Sequence, residues 1–384
     1  MSLTSRERVL TVLNHEVPDR VPIILGSSNA TGISLTAYQR LVKLLGFPEK
    51  EEKYLYDWPE LGTINMDEAV LERLHSDVRG VLDREPDSVR ERNAKREPGS
   101  TYLNSWGVGS VEGDPGMWFP AIHPLAETHS VADIDSYPWP DMNDPTRVAH
   151  VKQEAEKLFK ENQYAILGTP WLAFPLERAF AMQRMDKFML NLGRHPDFAR
   201  ALLWKINELC KTLMGHFLCE CGDHIDMIKI GDDLGMQNSL LMSPKMYREI
   251  LKPVHADYIS FIKSHTKAKV FFHTDGDVFP LIPDFIEMGV DILNPIQTSA
   301  GKMSDLAGLK KQFGRNIIFC GAIDTHRVLP FGTPDEVRAE VKRVIEVLGD
   351  AGGYMLSSVH TIMSDVPPEN ILAMADAAVE YGAY

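Results

Sequence analysis

A single α/β chain folded as a (β/α)8 TIM barrel, with a loop insertion around residues 85–146, is what the sequence predicts. Three observations carry that expectation. From residue 164 onward, short β-branched or apolar runs alternate with longer amphipathic stretches, the pattern of βα units around a parallel sheet. Two earlier runs, RVPIILG at 20–26 and SDVRGVL at 76–82, bring the candidate strands to the number that closes a barrel. The length, 384 residues, suits one barrel with an insertion, so residues 1–384 are expected to form one domain.

Taken in order, the later strands are YAILG, IDMIKIGDD, AKVFFH, VDILNP, NIIFCGAID and GYMLSS. Between residues 85 and 146 the alternation breaks into a Gly-, Trp- and Pro-rich tract that includes NSWGVGSVEGDPGMWFPAIHP and SYPWPDMNDP. It reads as an elaboration of one barrel loop, hanging over one mouth. No repeat with a period of 20–50 residues and no low-complexity linker interrupts the chain.

Composition narrows the function classes. Hydrophobic residues make up 44% and charged residues 24%, as in a globular protein with a sizeable core. A formal net charge of −14 argues against nucleic-acid and anionic-membrane partners, which select clustered Lys and Arg. Small molecules and protein partners, including a second copy in a homodimer, stay open. The start, MSLTSRERVLTVLNHE, lacks the apolar run of a signal peptide or membrane span, so a cytoplasmic location is expected. The four cysteines, Cys210, Cys219, Cys221 and Cys320, are too few for a disulfide framework. Cys219 and Cys221 fall in a helical stretch, where positions two apart diverge, which disfavours them as a metal pair.

In a (β/α)8 barrel, chemistry gathers where strands end. Asp232 and Asp233 follow IDMIKIG; His273, Asp275 and Asp277 follow AKVFF; Asn294 and Gln297 follow VDIL; Asp324 follows IIFCGAI; His360 follows GYMLSS. Asp277 and Asp324 read best as helix caps. His273 and Asp275 differ, because residues i and i+2 of an extended segment project to one side and can chelate one ion. Gly276 permits the tight turn that leaves such a site. With His360 as third ligand, two imidazoles and one carboxylate suit Zn²⁺ with an open fourth position, or another divalent ion such as Fe²⁺.

Four stretches in family order, RERVLTVLNHEVPDRVP, DDLGMQNSLLMSPKMYREILKP, HTDGDVFPLIPDFIEMGVDILNPIQ and DVPPENILAMADAA, resemble the uroporphyrinogen decarboxylase-like superfamily. The resemblance spans nearly the whole chain and implies one barrel with its active site at the C-terminal mouth. True decarboxylases carry an arginine-rich segment that neutralises their polycarboxylate substrate. The matching IILGSSNATGIS has no Arg or Lys. The corrinoid-dependent methyltransferases of the superfamily bind zinc through a His-x-Cys motif and a later Cys. His273 matches the histidine, and Asp275 and His360 stand where the two cysteines would be.

The resemblance therefore implies a metal-dependent, corrinoid-dependent methyltransferase. Replacing thiolates by His and Asp makes the ion harder and favours an oxygen substrate, so the reading is O-demethylation of a methoxylated small molecule such as an aryl methyl ether. The acceptor would be a corrinoid (cobalamin) on a separate protein. Asp232 or Asp233 is expected as a further ligand or proton donor, and Asn294 and Gln297 as substrate-orienting groups. Trp106, Trp118, Trp171 and Met236 are candidates for an apolar pocket. Asp77 is a further catalytic candidate, because an early strand-end aspartate is central in the decarboxylases. Three alternatives stay open: a decarboxylase with Arg178 and Arg327 as carboxylate partners, a methylcobalamin:thiol methyltransferase, and a non-catalytic binding protein.

Overall fold

The computed structural model describes residues 3–48, 53–57, 62–97, 99–113, 117–171 and 174–384. Its strands, in chain order, are β1 (Val78–Val81), β2 (Tyr102–Leu103), β3 (Gly109–Glu112), β4 (Trp118–Ile122), β5 (Ala165–Gly168), β6 (Met227–Gly231), β7 (Lys269–His273), β8 (Ile292–Asn294), β9 (Ile318–Ile323) and β10 (Tyr354–Ser358). Seven of them form one parallel sheet in the order β1-β5-β6-β7-β8-β9-β10. Helices alternate with these strands, as short buried runs joined by amphipathic stretches require.

The RVPIILG run fills the remaining gap without becoming a regular strand. Ile24 N–H donates to Leu356 O on β10, Leu356 N–H donates to Pro22 O, and Asp77 N–H, just ahead of β1, donates to Ile23 O. Pro22 has no N–H to give to a ladder, and the Ser76 hydroxyl accepts from Leu25 N–H and donates to Leu25 O in place of backbone. These bonds join the first and last strands of the sheet, which closes the barrel.

Strand parity sets what the barrel holds at each level. Ile24, Val78, Leu167, Met227, Phe271, Ile292, Cys320 and Met355 share one buried apolar cluster. The helix Ser5–Leu13, opened by a Thr4/Glu7 capping box, covers that cluster with Val9, Val12 and Leu13. Two residues further along β6, β7 and β8, the same face presents Lys229, His273 and Asn294. The register pairs Gly231 with His273 and His273 with Asn294. The floor is apolar and the mouth polar.

Asp77 belongs to the floor, which corrects its expected catalytic role. It precedes β1, so it lies at the N-terminal end, opposite the mouth. Its carboxylate is fully buried and binds Arg8 Nη1 at 2.8 Å, Arg20 Nη1 at 2.9 Å and the Ile23 N–H at 2.8 Å. Every oxygen is engaged, and the pairs tie the N-terminal segment to the barrel.

The insertion leaves the C-terminal end of β1 and folds as a three-stranded antiparallel sheet, β2-β3-β4. Trp106 and Trp118, expected at a substrate pocket, are instead buried within it, Trp118 edge-on to Tyr102 and Trp106 edge-on to Trp139. Among the described residues, no helix is long and apolar enough to cross a membrane.

Candidate metal centre

β7 ends at His273, and the chain turns sharply at Gly276, whose φ of +87° suits glycine. The turn packs backbone to backbone on the loop after β6. A Cβ on Gly276 would stand 2.2 Å from the carbonyl carbon of Gly235. Asp232 N–H donates to His273 O, Gly235 N–H to Asp275 O and Asp277 N–H to Met236 O. Asp275 N–H donates to Asp233 Oδ1 at 2.9 Å and Gly276 N–H to Gln297 Oε1 at 2.7 Å. The loop is therefore held from both sides before any ligand binds.

These constraints bring the donor atoms of His273, Asp275 and His360 within 4.8 Å of one another. His273 Nε2 is 3.7 Å and His360 Nε2 3.8 Å from the same oxygen, Asp275 Oδ2. Tetrahedral zinc with arms of about 2.0–2.2 Å separates its ligand atoms by roughly 3.4 Å, so each histidine needs to close on Asp275 by only a few tenths of an ångström. His273 Nδ1 is hydrogen-bonded to Asn294 Oδ1 at 2.7 Å. Nδ1 is thus the donor, and the Nε2 lone pair is turned to the site. Asp275 Oδ1 is buried and has no hydrogen-bond partner among the described residues.

The electrostatics suit a bound cation. Burial, with the Lys229 charge added, holds His273 well below the ordinary imidazole range and His360 down to about 4. Both are therefore neutral, as ligation requires. Burial, with Asp233 adding to it and Lys229 opposing, pushes the Asp275 carboxyl well above the usual carboxylate range. A divalent ion would reverse that penalty by pairing the charge. The donor set and its surroundings fit a zinc-like ion.

A cavity of about 240 Å³ opens beside the centre, lined by Asn29, Trp171, Phe174, Glu177, Arg178, Ala181, Lys229, Asp233, His273 and His360. Of the expected site residues, His273, His360, Asp233 and Trp171 line it, as does Arg178 of the decarboxylase alternative, with Asp275 adjoining. Asp232 does not. It is fully buried, accepts the Leu176 and Glu177 N–H groups at the start of the helix Pro175–Gln183, and takes a third bond from His255 Nε2. Asn294 and Gln297 spend their oxygens on His273 and Gly276, so they position the centre rather than the substrate. Met236 is 54% exposed and outside the lining. Arg327 is also outside it. Asp277 accepts from Phe279 and Lys302 N–H groups, and Asp324 from His326, Arg327 and Val328. Both act as caps.

Two buried residues at this end were not anticipated. Lys229 is inside β6 with 1% exposure, and burial pushes its ammonium down to about 8. Asp83, just beyond β1, accepts the Trp171 N–H at 2.7 Å; burial pushes its carboxyl up to about 7, against the pull of that bond and of Arg147. The Trp171 ring meets that of Tyr56 at 4.3 Å between centroids, tilted by 38°.

The model of the uroporphyrinogen decarboxylase (URO-D) family matches residues 115–381. The chain belongs to the uroporphyrinogen decarboxylase family. It is 23% identical to a uroporphyrinogen decarboxylase of Chlorobium phaeobacteroides over 267 residues, 65% of this chain and 70% of that protein. It is 26% identical to one of Legionella pneumophila over 215 residues, 56% of this chain and 57% of that protein. Its fold is shared, at a TM-score of 0.69 and 21% identity over 99% of both chains, with a methyltransferase from Methanosarcina mazei.

Proposed function

We propose that this chain is a metal-dependent methyltransferase that moves a methyl group from a methoxylated small molecule, such as an aryl methyl ether, to a corrinoid (cobalamin) carried by a separate protein. The observation that carries the reading is the His273–Asp275–His360 set, free of thiolates, opening onto a cavity of about 240 Å³. A cavity of about 150 Å³ accepts benzene, so this one suits a substituted ring. It does not suit a tetrapyrrole with eight carboxylates, for which the lining offers two cations, Lys229 and Arg178.

Zn²⁺ held by His273, Asp275 and His360 would supply Lewis acidity toward an ether oxygen. Asn294 fixes the His273 ring, and Asp233 and Gln297 fix the loop that carries Asp275. Trp171 and Phe174 offer apolar walls that keep water from the methyl carbon. Asp233, lining the cavity beside Asp275, is placed to hand a proton to the leaving oxygen. Overall, the O–CH₃ bond breaks, the methyl group passes to the reduced corrinoid as a cation equivalent, and the alkoxide or aryloxide takes up a proton.

The test is a spectroscopic assay in which zinc-loaded protein, reduced cobalamin and a panel of methoxylated aromatics are mixed without oxygen. Methylcobalamin formation is expected with wild type and absent with His360→Ala. Methylation of a thiol from methylcobalamin instead, or CO₂ release from uroporphyrinogen by metal-free protein, would overturn the reading.

A further inference from the structure

Lys229 is a buried cation at the mouth with one hydrogen-bond acceptor among the described residues. Period-2 alternation places it above Met227, facing the barrel interior, and its register partner is Phe271. Among the described residues its ammonium has a single hydrogen-bond acceptor, Asn29 Oδ1 at 2.9 Å, and stands 4.5 Å over the Phe174 ring. A lysine ammonium carries three donors, so two remain for whatever enters. A cation this deeply buried costs several kcal/mol unless something pairs it. Among the described residues no carboxylate comes within ion-pair distance of it; Glu177, Asp233 and Asp275 act on it only from further off. Asn29, by accepting from Lys229, keeps its Nδ2 as a further donor on the same wall.

The charge around the cavity points the same way. With Asp233 holding the proton it hands on, Arg178, Lys229 and a divalent ion on Asp275 outweigh Glu177 and leave the wall positive. A negatively charged substrate would lower that excess.

We propose that Lys229, with Asn29, is the docking point for a carboxylate on the substrate, so that the methyl donor is a methoxylated aromatic acid lying against Trp171 and Phe174. The identity of the reaction rests on the methyltransferase reading above, but the anion site does not. One singly charged carboxylate fits the single acceptor-poor ammonium; a phosphate, with nearly two charges, would exceed it. The lysine thus acts on binding and orientation, holding the ring so that its methoxy group faces the His273 and His360 side.

The test is calorimetric titration of the zinc-loaded full chain with 3-methoxybenzoate and with its neutral isostere 3-methoxybenzamide, without corrinoid. Wild type is expected to bind the acid at least about tenfold more tightly than the amide, the size of one charge-assisted hydrogen bond. Lys229→Met should erase that preference, with amide affinity and zinc content unchanged; Lys229→Gln serves if the Met variant does not fold. A preference for the acid that persists in the variant, as direct ligation of zinc by the carboxylate would give, overturns the proposal. So does wild-type protein that binds the acid no better than the amide or binds neither. Lys229-dependent acid binding by protein that transfers no methyl to reduced cobalamin keeps the anion site and removes the methyltransferase reading.

Discussion

At the floor of the barrel Asp77 is enclosed by Arg8, Arg20 and the Ile23 N–H, so that each buried charge meets an opposite charge or a donor. At the mouth Lys229 is buried as deeply and Asp275 is half-buried, yet Asp275 keeps one oxygen and Lys229 two donors without a partner among the described residues. The floor is what a structural ion cluster looks like, where removing one member strands the others. The mouth gives up stability to hold charges for molecules that arrive later.

The comparison yields four outcomes, the largest first. His360→Ala removes one of three ligands and should lower methyl transfer at least about a thousandfold, read as methylcobalamin formed per minute, with the melting temperature little changed. Asp77→Asn should do the reverse. Stranding Arg8 and Arg20 costs about 3–5 kcal/mol, visible in urea melts, while zinc content stays at the wild-type level. An Asp77 variant that lost zinc but not stability would break the contrast between the two ends.

Asn294→Ala frees the His273 ring and should weaken zinc affinity about 10–100-fold, measured by competition with a chromophoric chelator. Smallest is Lys229→Met in metal-free protein, where deleting an unpaired buried charge should raise stability by about 1 kcal/mol; a loss of stability would mean that Lys229 belongs with the structural charges. Acid sharpens the same point. Because burial and Lys229 depress His360 to about 4 from 6.5, its ring stays neutral as pH falls from 6.5 toward 4, while the unfolded chain takes up protons. That ring's contribution to stability is thus present above pH 6.5 and lost as pH falls to about 4.

Much of this was legible in the residues because a (β/α)8 chain puts strand ends at one mouth. Reading the residue after each strand reached His273, Asp275, Asp233 and His360. The failures have physical causes. Asp232 and Asp233 are adjacent and cannot both face the cavity; Asp232 turns away and caps a helix. Asp77 precedes its strand, and the same strand-end rule applied to SDVRGVLD reaches Asp83 beyond Val81. Lys229 was hidden inside an apolar run, although a lysine in the middle of a buried strand, at inward parity, was itself the signal. The irregular RVPIILG segment depends on Pro22 and the Ser76 hydroxyl, which hydropathy does not weigh. Arg178, named in the sequence only for the decarboxylase alternative, reaches the cavity from the helix Pro175–Gln183.

The central claim is that the mouth holds a metal ion, and plasma mass spectrometry of the purified chain beside His273→Ala tests it most directly. About one equivalent of zinc, or of iron, per wild-type chain and none in the variant is the predicted result. Wild-type protein that stays metal-free after incubation with excess Zn²⁺ would contradict the account, and His273, Asp275 and His360 would then be a polar cluster with no ion to hold.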